Sequence, residues 1–147
     1  MSKFIYKMEN ILEIKYKLEN QAKTNYANAA AKLNEEKQKL RSLIARQAAY
    51  EDQMRGLVSA RLDVLEIKIC KAAIEKAKED VKKQILQVTL AERNLEQARI
   101  KLYEVMNDRK IHEKLKENAF EDFKKEVNQQ ESKEIDELVS YTYGKAR

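Results

Sequence analysis

Apolar residues recur at seven-residue spacing through the second half of the chain. Ile74, Val81, Val88, Leu95 and Leu102 occupy one heptad position, and Ala77, Ala91, Ala98 and Val105 occupy another, with Gln84 as the polar exception. This spacing keeps one apolar stripe turned toward a partner helix. Alanine in alternate layers lets the two backbones approach closely. A matching stripe runs through the first half, where Phe4, Met8, Ile11, Leu18 and Ala22 follow four-three spacing with Lys15 in one slot. Tyr26, Ala29, Leu33, Leu40, Leu43, Tyr50, Met54 and Leu57 continue it, interrupted by Glu36 and Gln47. The two successive steps of four that join Leu18, Ala22 and Tyr26 predict a stutter, which locally unwinds a supercoil.

Gly56, with Ser59 close behind it, is the only glycine before residue 144 and predicts a reversal between Gly56 and Asp63. Asp63-Val64-Leu65-Glu66 has capping-box spacing, in which Asp63 accepts from the amide of Glu66 while the Glu66 side chain reaches back. The expected fold is therefore all-α, a long antiparallel two-helix coiled-coil hairpin forming a single domain over 1–147. Its elements are a helix at about 4–57, a turn at about 58–63 and a helix at about 64–140. At ~1.5 Å per residue the two helices measure ~80 and ~115 Å. Pairing Leu57 with Val64 sets Phe4 near residue 117 and leaves about 25 residues of the second helix as a C-terminal overhang. Phe120, Phe123, Val127, Ile135, Leu138 and Val139 lie on that overhang, expected to lack a partner helix within the chain.

Composition agrees with continuous helix. The chain has no proline and two glycines in 147 residues, where roughly 7 and 10 would be ordinary. Charged residues are 37% of the chain. Pairs at i, i+4, namely Glu35 with Lys39, Glu79 with Lys83 and Glu121 with Lys125, add ~0.3 kcal/mol each to exposed faces. The net charge of +5 is spread among interspersed acids, with no block of five basic residues. A solvated mixed-charge face fits this better than a nucleic-acid footprint, so no nucleic-acid partner is expected. No apolar run approaches the ~20 residues that span a bilayer, and the N-terminus lacks a signal-peptide core, so a cytoplasmic protein without direct membrane insertion is expected.

Candidate chemistry is sparse. His112 is the sole histidine and falls in line with the seam at Val105, a buried or rim position in a coiled-coil layer rather than that of a catalytic base, because no nucleophile or second histidine accompanies it. Cys70 stands alone and reads as an incidental helix residue. No zinc-ligand spacing, Glu-x-x-His pair or glycine-rich phosphate loop occurs. No enzyme activity, cofactor or metal is expected. The polar seam residues Lys15, Glu36, Gln47, Gln84, Arg109 and His112 are expected to set register at some cost in stability. Tyr141 and Tyr143 lie past the last strong periodicity, where a binding role and a disordered tail are equally compatible with the sequence.

Both ends carry a resemblance. The stretch Tyr6-Lys7-Met8-Glu9-Asn10-Ile11-Leu12-Glu13-Ile14-Lys15, followed by Glu19 and Ala22, resembles the opening of the FliJ family of the bacterial flagellar type III export apparatus. The C-terminal Lys133-Glu134-Ile135-Asp136-Glu137-Leu138 is similar to that family's ending. Gly56 followed by Val64 to Ile74 fits its turn and second helix. The resemblance implies a stalk-like coiled coil that binds the hexameric export ATPase, engages the cytoplasmic domain of the membrane export gate and escorts export chaperones. It implies a location at the inner face of the cell membrane, at the flagellar base. It implies ATPase contacts at Tyr6, Met8, Ile11, Leu12, Lys15, Glu19, Lys133, Ile135, Asp136, Glu137 and Leu138. Asp136 and Glu137 would face basic pore residues. Gate contacts would fall at Ala73, Ala77, Asp80 and Gln84, although alanine stands here where relatives carry an aromatic or leucine. Two alternatives stay open: a homodimeric structural scaffold joined through its overhangs, and the equivalent stalk of a virulence secretion system.

Overall fold

A computed structural model describes residues 3–59 and 63–145. Among them the chain forms two helices, α1 at Glu9–Ser59 and α2 at Val64–Lys145, packed against each other, with no strand. The expected all-α class and helical pairing are present. The predicted turn at 58–63 falls partly on residues 60–62, outside the described residues. Contacts divide the chain into a first unit, Met1–Gln21 with Tyr103–Arg147, and a second unit, Ala22–Leu102.

In the second unit the seam follows the heptads closely. Ala77, Val88 and Ala91 are buried, and Ile74, Val81, Leu95 and Ala98 are half-buried. The seam runs on past Ile74 toward the start of α2 through Cys70 and the half-buried Ile67. Cys70 is buried, and its thiol donates to the Tyr50 carbonyl at 3.5 Å. Farther along, Gln84 Nε2 donates to the Glu36 backbone carbonyl at 2.9 Å and also to the Glu36 carboxylate. As α1 advances from Glu36 to Tyr50, its partners on α2 retreat from Gln84 to Cys70, so the pairing is antiparallel. Glu36 and Gln84, two of the six polar seam residues expected, thus satisfy each other. A buried carboxylate would otherwise be costly.

The α1 register differs from the apolar pattern near its start. Leu12 is 3% and Glu19 5% exposed, whereas Met8 and Leu18 are exposed at 47% and 41%. The inward positions run Leu12, Lys15, Glu19, Ala22, Tyr26 and Ala29, an unbroken three-four alternation without the expected stutter. Apolar content pointed to Leu18, but a carboxylate with an arginine opposite it occupies the seam instead.

Two helix boundaries also move. Gly56 lies inside α1, which continues to Ser59, so it does not open the reversal. The Ser59 hydroxyl donates to the Gly56 carbonyl at 3.0 Å in the last described turn of α1. A Cβ at Gly56 meets nothing within 4 Å. Gly56→Ala should therefore raise stability by about 0.5–1 kcal/mol, read as a higher urea midpoint by circular dichroism. At the start of α2, Asp63 Oδ1 accepts from the amide of Leu65 at 3.0 Å rather than from Glu66. It caps the helix as predicted, but one residue earlier than the box pattern implies. Phe4 stands outside α1, in an arm without regular structure over 3–6. On the exposed faces Lys39–Glu35 and Lys83–Glu79 pair at 3.3 Å each. Glu121 pairs with Lys124 at 3.4 Å instead of Lys125.

Candidate interaction surfaces

The first unit is joined largely by polar side chains. Arg109 Nε donates to Glu19 Oε2 at 2.6 Å and its Nη2 to Glu19 Oε1 at 3.2 Å, a two-pronged contact that planar guanidinium and carboxylate groups favour. Nη1 of the same arginine donates to Glu113 at 2.8 Å, and the Tyr16 hydroxyl donates to the same Glu113 carboxylate. The guanidinium carbon lies 5.8 Å from the centroid of the Tyr16 ring. Lys15 pairs with Asp108 at 2.8 Å and Lys116 with Glu9 at 2.7 Å. His112 Nδ1 lies 2.8 Å from the Asp108 carbonyl, which makes that nitrogen the donor. His112 is half-buried at the rim, as its heptad position predicts.

Charges in this belt are tuned by their neighbours. The Glu19 hydrogen bond raises the Arg109 pKa, and the Lys15 hydrogen bond lowers that of Asp108. In the second unit the Gln84 hydrogen bond, followed by that of Lys32, lowers the Glu36 carboxyl. Each of these groups is held in its charged form. None is set up for proton transfer near neutral pH. Among the described residues no group of His, Cys, Asp and Glu is arranged to hold a metal ion.

Past Val127 the character of α2 changes. Every residue from Asn128 to Gly144 is exposed although the helix runs on to Lys145. The Tyr141–Tyr143 stretch is therefore helical rather than a coil. Ile135 and Leu138, 59% and 65% exposed, lie on this segment with Val139 beside them. Acidic residues Glu131, Glu134, Asp136 and Glu137 accompany them, against Lys133. A groove bordered by Phe120, Phe123, Val127, Gln130, Glu131 and Glu134 leads onto it. Phe120 and Phe123 themselves are not unpartnered as expected. The Phe4 ring packs on both, at 5.0 and 5.4 Å between centroids.

The residues singled out from the sequence thus fall in different settings. Lys133, Ile135, Asp136, Glu137 and Leu138 share the exposed end of α2, and Met8 is exposed on the N-terminal arm. Tyr6 and Ile11 are half-buried. Leu12, Lys15 and Glu19 face α2 within the first unit, the latter two through the ion pairs above. In the second unit Ala77 and Gln84 face α1, whereas Ala73 and Asp80 lie at the edge of the seam, Asp80 paired with Lys76 at 3.1 Å. The Glu19–Arg109 contact escaped the sequence reading. Its only signal was a glutamate and an arginine each at heptad spacing, on helices 90 residues apart in the chain.

Two long helices joined by a heptad seam define an all-α coiled-coil protein, and no described helix is long and apolar enough to cross a membrane. The family described as Flagellar FliJ protein matches residues 4–147. The chain belongs to that family, whose members are components of the flagellar type III export apparatus. No curated protein and no solved structure matches it.

Proposed function

We propose that this chain is a stalk-like, non-catalytic partner of the hexameric flagellar export ATPase. It couples the ATPase to the cytoplasmic domain of the export gate and receives export chaperones at the inner face of the cell membrane. The exposed end of α2 supports the reading most: a helical segment bearing Ile135, Leu138 and Val139 among acidic residues, with no apolar face of the described residues against it. An apolar stripe rimmed by charge is a common mark of a docking surface. Its acidic residues suit a basic lining, with Asp136 and Glu137 as the charge partners. Near the N-terminus, the arm residues Tyr6 and Met8 and the half-buried Ile11 border this surface, and Leu12, Lys15 and Glu19 hold the helix behind them. For the gate, Ala73 and Asp80 offer the approach, while Ala77 and Gln84 set the helix spacing beneath them.

Mixing the full chain with purified cognate export ATPase tests the proposal. Association is expected, together with a change in ATP hydrolysis rate or in hexamer content. Absence of both removes the basis of the reading. A homodimeric scaffold predicts instead a stable dimer at micromolar concentration in sedimentation. The acidic excess on the free end of α2 opposes pairing of two copies there.

A further inference from the structure

The arm before α1 is held differently from the helices. Residues 3–6 have no regular structure and a turn follows. Helix α1 opens at Glu9, whose amide donates to the Tyr6 carbonyl at 3.2 Å. Phe4 is the arm's ring contact with α2, edge-on to Phe120 and tilted against Phe123. The flanking side chains are mostly exposed, Ile5 at 77% with Lys3, Lys7 and Met8, while Tyr6 is half-buried and the Met8 carbonyl accepts from the amides of Ile11 and Leu12. An open hollow of about 390 Å³ lies between the arm and Ala119, Phe123 and Glu126. Lys7, Asp122 and Glu126 also line this hollow. The Phe120–Phe123 surface beneath Phe4 opens directly onto the groove that leads to Val127 and Glu131.

We infer that residues 3–8 form a displaceable strap. Phe4 leaves Phe120 and Phe123 while α1 stays paired from Glu9 onward, and the freed aromatic pair extends the apolar stripe of α2 back from Ile135 to Phe120. This regulation rests on the reading of that stripe as a docking surface. Separation at Glu9 is physically natural, because the Lys116–Glu9 pair and the buried Leu12 hold the helix behind it. Within the strap, Phe4 makes the ring contacts with α2 and Tyr6 is half-buried. A partner bringing an apolar side chain to the groove competes with Phe4 for the same surface, so the closed strap lowers the apparent affinity by the fraction of molecules in which it is open.

The chain contains no tryptophan, so Phe4→Trp supplies a single emission probe in the full-length protein. At about 0.05 M NaCl its emission should be blue-shifted, and adding Phe120→Ala should move it toward the solvent value. In urea below the main transition, emission should move to the solvent value with helicity unchanged. An emission change that occurs only together with loss of helicity overturns the strap. So does emission that is solvent-like at low salt whether or not Phe120 is present. Binding separates this proposal from the functional one: Phe4→Ala should bind the purified export ATPase about threefold more tightly than the parent chain. Weaker binding by Phe4→Ala makes the arm part of the contact and overturns the strap. Failure of the parent chain to bind removes the ATPase reading, while the emission result continues to decide whether the arm releases.

Discussion

Arg109→Met is expected to lower the thermal midpoint of the chain by roughly 5–10 °C. Arg109 occupies the seam of α2 in the first unit and satisfies both oxygens of Glu19, which is 5% exposed. Methionine fills much of the same volume but leaves that carboxylate facing an apolar side chain with its strongest donor gone. Removing one partner of a buried pair costs more than the pair contributes, because the survivor keeps its desolvation penalty. The double variant Glu19→Leu, Arg109→Leu should therefore recover the midpoint of the parent chain or exceed it. Lys116→Ala provides the contrast. It breaks an ion pair whose members are about two-fifths exposed, and should shift the midpoint by about 2 °C at most. If Arg109→Met and Lys116→Ala behave alike in thermal unfolding followed by circular dichroism, the seam assignment of Glu19 and Arg109 is wrong.

The largest expected effect on binding comes from the other end of the first unit. Reversing both charges in Asp136→Lys, Glu137→Lys should weaken association with the export ATPase roughly tenfold at low salt. The effect should shrink as ionic strength rises, since exposed charges act mainly by steering the encounter. Both residues are exposed. Helicity and thermal midpoint should accordingly stay at their parent values, which separates lost recognition from lost folding. Unchanged binding at low salt would place the contact away from the acidic segment.

How far the sequence carries the structure depends on where the information lies. The α2 seam from Ile74 to Val105 was legible because apolar side chains at heptad spacing report their own burial. Glu19 was not legible, because a carboxylate enters a seam only when a partner waits opposite it, and Arg109 lies 90 residues away. The apolar Leu18 beside it drew the register one step off and created an apparent stutter. Gly56 looked like a chain reversal, yet one glycine inside a 51-residue helix costs only ~1 kcal/mol, which the surrounding seam offsets. Cys70 gives no reactive-site signal in the sequence, yet its buried thiol packs as a small apolar side chain. Phe4 fitted a helical stripe by spacing. The turn at residues 7 and 8 instead detaches it from α1 and lays it on Phe120 and Phe123. At the exposed surface, the family motif marked both the free end of α2 and the paired residues Leu12 and Glu19. Only the structure separates residues that build the helix pair from residues it presents.

Amide hydrogen exchange on the full chain, alone and with the purified export ATPase, tests most directly whether the seam builds and the free end of α2 binds. The prediction is new protection at residues 128–144 in the complex, with 74–105 exchanging as in the free chain. Protection that instead falls on 74–105, with 128–144 unchanged, would contradict the account.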